Sequence, residues 1–220
     1  MEDFIAIEQA RKELIQSKVK ISVYQLGANS KVNNQLVRPV SAIARKGITS
    51  AAMNKLLFKF ICDYECKNVI ELGTSFGVNT MYMATNSLVK VHSFEGCPNT
   101  AAIAQKYFDE LGFANIELII GNIDTTLPQF AHQSTGKIDL VFMDANHKLE
   151  PTISYFNQLL SICHDKSIII IDDIYWSSEM TKAWQEIKLH PQVTTSVDLY
   201  DLGILFFRPE LERAHYKLMR

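Results

Sequence analysis

Apolar residues at Phe4, Ile7, Ala10, Leu14 and Ile15 return every three to four positions, the period of one helix face. The chain is therefore expected to open with an amphipathic helix packed on the main body. From Gln25 to Gly47 the rhythm breaks into Gly, Asn and Ser interspersed with Lys and Arg, the composition of a loop or of a lid over a site. Periodicity resumes at Met53, Leu56, Leu57, Phe60 and Ile61. These mark one side of a second helix, which Thr49 or Ser50 can cap and which should end near Asp63.

After Asp63 the pattern changes to short apolar runs. Asn68 to Leu72, Lys90 to Phe94, Ile116 to Ile120, Ile138 to Met143 and Ser167 to Ile171 read as strands. The helical stretches between and after them are Thr80 to Ser87, Asn99 to Leu111, Thr125 to His132, Pro151 to Cys163 and Ser178 to His190. Strands this apolar are covered on both faces, and repeated βα units with right-handed crossovers make a doubly wound parallel sheet. Ligands of such sheets gather at the carboxyl ends of the strands. Val193 to Leu199 and Gly203 to Phe207 are joined by Tyr200, Asp201 and Leu202 alone, too short a link for a parallel crossover, so an antiparallel hairpin should close the fold. No repeat or linker divides the chain, and residues 1–220 are expected to form a single domain, with N-terminal helices and a lid over 1–66 and a core over 67–208.

Composition narrows the function classes. Hydrophobic residues make up 47% and charged residues 21% of 220, enough for a core that needs neither disulfides nor structural metals. A net charge of -2 sets up no field that would gather phosphate backbones, so nucleic acid is not an expected partner and a small molecule is. No secretory leader is visible after Met1, and the apolar run Ile168 to Ile171 stops at two aspartates, far short of a membrane span. The expected location is the cytoplasm. Cys62, Cys66, Cys97 and Cys163 lack CxxC pairing, and His92, His132, His164, His190 and His215 lack ligand spacing. Reduced thiols and no zinc site are expected.

The sharpest local signal is Val69-Ile70-Glu71-Leu72-Gly73-Thr74-Ser75-Phe76-Gly77, a buried strand that ends in an acid and two glycines before a helix. Gly73 permits a turn that a side chain would obstruct, Gly77 lets backbone approach a ligand, and Glu71 supplies a carboxylate for a cation. The spacing departs from the GxGxxG of dinucleotide sites. The run ELGTSFG resembles motif I of class I S-adenosylmethionine-dependent methyltransferases, with Ser75 at the middle glycine. That resemblance implies a Rossmann-like, mostly parallel seven-stranded sheet with a C-terminal antiparallel hairpin, and S-adenosyl-L-methionine as cofactor. It also implies that Glu95, at the next strand end, holds the ribose hydroxyls, that Asn122 lies in the adenine-contacting segment, and that Asp144 closes the cofactor set.

Asp144-Ala145-Asn146-His147 leaves the fourth strand of this series and Asp172-Asp173-Ile174-Tyr175-Trp176 leaves the fifth. Three acids on neighbouring strand ends repel one another unless a cation neutralises them, and oxygen ligands suit Mg²⁺ or Ca²⁺. The arrangement resembles the metal-dependent O-methyltransferases of the catechol, caffeoyl-CoA and macrolide-sugar kinds, which implies Asp144, Asp172 and Asp173 as metal ligands. The catechol branch carries Asp-Asn and the macrolide branch Glu-Asp where this chain has Asp172-Asp173. His147 stands three residues after Asp144, where the macrolide-sugar enzymes carry a general base; the bland alternative is a loop hydrogen bond. Tyr175 and Trp176 either wall an apolar acceptor or pack in the core. Arg38, Arg45 and Lys46 are expected as solvated surface.

The resulting expectation is methyl transfer to a small-molecule acceptor, at a hydroxyl oxygen, with Asp144 and His147 as catalytic residues. The competing expectations are a non-catalytic S-adenosylmethionine-binding module and an N-directed or aminopropyl transferase on the same fold. A homodimer is compatible with each.

Overall fold

The computed structural model describes residues 4–24, 35–134 and 136–218. In chain order the elements are α1 (Ile5–Gln16), β1 (Lys20–Tyr24), β2 (Gln35–Pro39), α2 (Val40–Gly47), α3 (Ala51–Asp63), β3 (Asn68–Leu72), α4 (Val78–Ala84), β4 (Lys90–Glu95) and α5 (Pro98–Glu110). There follow β5 (Ile116–Ile120), α6 (Ile123–Gln133), β6 (Ile138–Met143), α7 (Leu149–Leu160), β7 (Cys163–Asp172), α8 (Ser178–Lys188), β8 (Thr195–Asp198), β9 (Leu202–Phe206) and β10 (Ala214–Lys217). The main sheet has eight strands in the order β10-β8-β9-β7-β6-β3-β4-β5, the doubly wound, mostly parallel α/β architecture. The chain clusters into two compact units, residues 1–67 with 73–123, and 68–72 with 124–220.

In the first unit, α1 buries Ile7, Ala10 and Leu14 in a cluster with Val40, Ala44, Phe76, Val78, Met81, Tyr82, Ala104 and Phe108. Full burial of Ile7 or Leu14 contributes roughly 1.5–3 kcal/mol each. A polar contact orients the helix within that apolar face: Glu8 accepts hydrogen bonds from Arg11 Nε at 2.9 Å and from the Tyr82 hydroxyl at 2.7 Å. Ser50 caps α3, accepting from the Met53 amide, which satisfies one of the orphan donors of the first turn.

The loop expected from Gln25 to Gly47 is corrected over its second half. Residues 25–34 lie outside the described residues, but Gln35–Pro39 pairs antiparallel with Lys20–Tyr24 and Val40–Gly47 is helical. The polar composition of Gln25 to Gly47 hid the second strand of a two-stranded ribbon, although Ile21 and Val23 alternate with Lys20 and Ser22 in the first. Arg38, Arg45 and Lys46 are exposed, as expected, and Arg45 Nη2 also donates to the Ile15 carbonyl at 3.1 Å, among the orphan carbonyls that end α1.

In the second unit the strand registers align Leu72 with Met143, Met143 with Ile171, Ile171 with Gly203, Gly203 with Asp198, and Asp198 with Lys217. One row of residues thus sets the edge at which the chain runs out of β3, β6 and β7. The expected hairpin is present as β8 and β9, antiparallel. Two features exceed the sequence expectation. The strand over Ser167 to Ile171 begins at Cys163, where the polar His164, Asp165 and Lys166 obscured it, and β10 adds an eighth strand parallel to β8. All four cysteines are free thiols, with Cys66, Cys97 and Cys163 buried. Among the described residues, no helix is long and apolar enough to cross a membrane.

Candidate active site

The first unit builds a tight turn after β3. The amides of Gly73 and Thr74 both donate to the Phe94 carbonyl, at 3.0 and 3.1 Å, and the Gly77 amide returns to the Thr74 carbonyl at 2.9 Å. Three residues of this turn are left-handed, with φ of 103° at Gly73, 49° at Ser75 and 78° at Gly77. Ser75 has a Cβ and holds that conformation against strain, because its amide donates to Glu95 Oε2 at 2.8 Å. The other oxygen of Glu95 accepts from the Cys97 amide at 2.8 Å. Burial pushes the Glu95 carboxyl up from its ordinary range, and the amides of Cys97, Ser75 and Gly96 oppose that shift. The Glu95 carbonyl also accepts from Gly121, at 2.9 Å, so the segment leading into half-buried Asn122 is tied to the same strand end.

Gly77 has a packing role that the sequence did not reveal. A Cβ there would lie 2.4 Å from Phe108 Cε1 and 3.2 Å from the Ala104 Cβ. The glycine is required by the close passage of α5 as well as by the backbone angle.

The second unit carries the titratable groups. Glu71 is fully buried in β3. Asp144 follows β6, its amide donating to the Leu72 carbonyl at 2.8 Å. His147 Nε2 lies 3.3 Å from Asp144 Oδ1 and 3.8 Å from Asp173 Oδ2, and one ligand atom from each of these three residues fits within 4.8 Å of the others. Asp172 is outside that group; its Oδ1 accepts the Asp173 amide at 2.9 Å. That bond accompanies left-handed backbone at Asp173, φ 57°.

Electrostatics follow from this crowding. The Asp144 carboxyl is pushed well above its ordinary range by burial first, and then by Asp172, Asp173 and Glu71. Asp172 is pushed up to about 7 by burial and by Asp173. Burial lowers the His147 imidazole, against the pull of Asp173, which favours the neutral ring with an available lone pair. Asp144 and Asp172, raised by burial and by neighbouring carboxylates, suit a divalent cation, and the oxygen and nitrogen donors present are of the kinds such ions take.

Beyond the acidic pair, Trp176 is 72% exposed, so it is not core. Tyr175 donates to Asp198, receives the Lys217 ammonium at 3.1 Å and lies 5.4 Å from the Tyr200 ring, centroid to centroid. Sequence reasoning missed Tyr200 and Lys217, which reach this edge through β8, β9 and β10. It also missed Tyr155, whose hydroxyl donates to Asp124 Oδ1 at 2.5 Å and accepts from Asn146 Nδ2 at 3.1 Å. In the sequence Tyr155 looks like any apolar position of an amphipathic helix.

Residues 70–174 match the family model described as a methyltransferase domain. Over that stretch, just under half of its length, the chain is similar to methyltransferase domains. The matched stretch runs from β3 past the acidic pair and includes every candidate site residue from Glu71 to Asp173. Over 152 residues the chain is 28% identical to a catechol O-methyltransferase of Niastella koreensis, a stretch covering 64% of this chain and 66% of that protein. Over 128 residues it is 27% identical to a catechol O-methyltransferase of Mycobacterium tuberculosis, covering 57% of this chain and 56% of that protein. The chain thus spans just under two thirds, and a little over half, of the length of these curated relatives. An SAH-bound methyltransferase of Podospora anserina shares the fold with a TM-score of 0.69 at 14% identity, covering 93% of this methyltransferase-like chain and 88% of that one.

Proposed function

We propose that the chain is an S-adenosylmethionine-dependent O-methyltransferase that methylates a hydroxyl of a small catechol-type acceptor. The observation that carries the reading is the convergence of His147 on Asp144 and Asp173, 3.3 and 3.8 Å from their oxygens. In this reading Glu71, Gly73, Ser75, Gly77, Glu95, Asn122 and Asp144 hold the cofactor. Glu95 has two carboxylate oxygens, and the amides of Ser75, Gly96 and Cys97 do not exhaust their lone pairs, which leaves capacity for the ribose. Residues 67–208 are the catalytic core, and the curated relatives' name supports the catechol-type acceptor.

Methyl transfer demands an acceptor oxygen aligned behind the sulfonium methyl and one group to take its proton. His147 is that group: neutral through burial, it accepts the hydroxyl proton at Nε2, and Asp144 and Asp173 stabilise the imidazolium that forms. Asp144, Asp172 and Asp173 would hold a divalent cation, which when bound supplies charge neutralisation among the acids and lowers the pKa of the acceptor hydroxyl. The group whose ligand atoms lie within 4.8 Å of one another is Asp144, His147 and Asp173, which also admits His147 as a nitrogen ligand.

Calorimetry with S-adenosylhomocysteine, followed by an assay of its formation from S-adenosylmethionine and a panel of catechols with Mg²⁺ or EDTA, tests the reading. Asp173→Ala should keep nucleoside binding and lose transfer, and EDTA should inhibit. Transfer indifferent to both would remove the cation from the scheme, and absence of nucleoside binding would end the reading. If His147→Gln weakens Mg²⁺ binding itself, His147 is a ligand rather than the base.

A further inference from the structure

We propose that Asp124, Tyr155 and Asn146 act as a positioning relay that fixes the turn carrying His147. The inference rests on the proposed role of His147. Five residues after β6 lead into α7, and Asn146 stands in the middle of them with φ 61°, a left-handed conformation that asparagine tolerates better than most side chains. Its Nδ2 donates to the Tyr155 hydroxyl at 3.1 Å, and that hydroxyl donates to Asp124 Oδ1 at 2.5 Å. The phenol therefore uses both its capacities, accepting from the turn and donating to a carboxylate.

Asp124 sits in the first turn of α6, where the helix N-terminus favours its charge, so the bond it accepts is charge-assisted and strong. Tyr155 is 2% exposed and lies on the buried face of α7 with Pro151, Thr152, Phe156 and Leu159. Its ring is thus immobilised by packing, and the hydroxyl is a fixed point in the interior of the unit. From that fixed point one hydrogen bond reaches Asn146, the residue immediately before His147. Asn146 also anchors the backbone between Asp144 and His147, whose side chains lie 3.3 Å apart, close enough for Asp144 to orient the ring and stabilise the imidazolium. A ring left free to wander by an ångström forfeits much of its rate advantage.

Tyr155→Phe keeps the packed ring and removes only the hydroxyl. With catechol as the acceptor probe, kcat should fall about ten-fold while the Kd for S-adenosylhomocysteine stays within about two-fold. Hydrogen exchange over residues 144–148 should rise and that of β6 and α7 should not. Asn146→Ala should lower kcat at least as far, and the double variant should be no slower than Asn146→Ala alone, because both act through one path. Asp124→Asn, which keeps an acceptor oxygen, should retain more activity than Asp124→Ala. The relay is refuted if Tyr155→Phe keeps wild-type kcat while His147→Gln abolishes transfer, or if the two relay substitutions slow the enzyme independently. An active His147→Gln protein would instead overturn the base assignment; the relay is then judged by exchange alone, and unchanged protection of 144–148 in Tyr155→Phe rejects it.

Discussion

Replacing Gly77 by alanine perturbs the fold at a point where two costs can be separated. The added Cβ would lie 2.4 Å from Phe108 Cε1 and 2.6 Å from Phe108 Cζ, and Phe108 is 1% exposed, so the ring has no vacant space into which to retreat. Overpacking of this kind costs about 1–3 kcal/mol. The backbone angle of 78° adds about 1–2 kcal/mol for a residue with a side chain. For a chain of this length each kcal/mol lowers Tm by roughly 2–4 °C, so Gly77→Ala should melt on the order of 10 °C below wild type. Thermal unfolding followed by circular dichroism measures this. The variant Phe108→Leu, introduced into the Gly77→Ala background, should return the overpacking share and leave the conformational share of about 1–2 kcal/mol in place. A Gly77→Ala protein within about 0.5 kcal/mol of wild type would refute the packing argument. So would a double variant that melts at the sum of its separate losses.

Gly203→Ala brings a Cβ to 2.5 Å from Trp184 Cζ3 and should cost about 1–3 kcal/mol, read from urea unfolding by tryptophan fluorescence. The folded-state pKa values of Asp172, about 7, and of Asp144, also raised, lie above the unfolded values, so the native state binds more protons between about pH 4 and 7. Stability in EDTA should therefore fall as pH rises through that window, and Mg²⁺ should reverse the trend; a Tm that climbs with pH in EDTA contradicts the carboxylate crowding. Asp172→Asn keeps the oxygen that accepts from the Asp173 amide and removes a repelling charge, so above pH 7 in EDTA it should raise Tm while weakening Mg²⁺ binding. His147→Gln should reduce kcat by about 10²–10⁴ with little change in nucleoside affinity, measured as S-adenosylhomocysteine release; wild-type turnover would dismiss the base.

The strands from Asn68 to Met143 were legible because each is a short, predominantly apolar stretch, broken only by residues such as Glu71, His92, Ser93, Glu117 and Asp139 and set between helical patterns, a pattern that depends on local composition alone. The order of strand-end acids was legible for the same reason: Glu71, Glu95, Asp144 and Asp172 each follow a run that must be buried. Their neighbours were not. Cys163 to Lys166 extends β7 through polar residues, and Gln35–Pro39 pairs with Lys20–Tyr24, both stabilised by partners distant in the chain rather than by their own periodicity.

The same division applies to the candidate site. Sequence alone placed Asp144, His147, Asp172 and Asp173 at the ends of adjacent strands, because strand ends and βα order are properties of the linear pattern. Only the tertiary structure decided that His147 turns toward Asp144 and Asp173 while Asp172 turns to the Asp173 amide, and that Tyr155 reaches Asn146 and Asp124. Those choices depend on left-handed angles at Asn146 and Asp173 and on hydrogen bonds between separate helices. Backbone angles and long-range side-chain bonds are outcomes of packing, and hydrophobic periodicity carries no record of them.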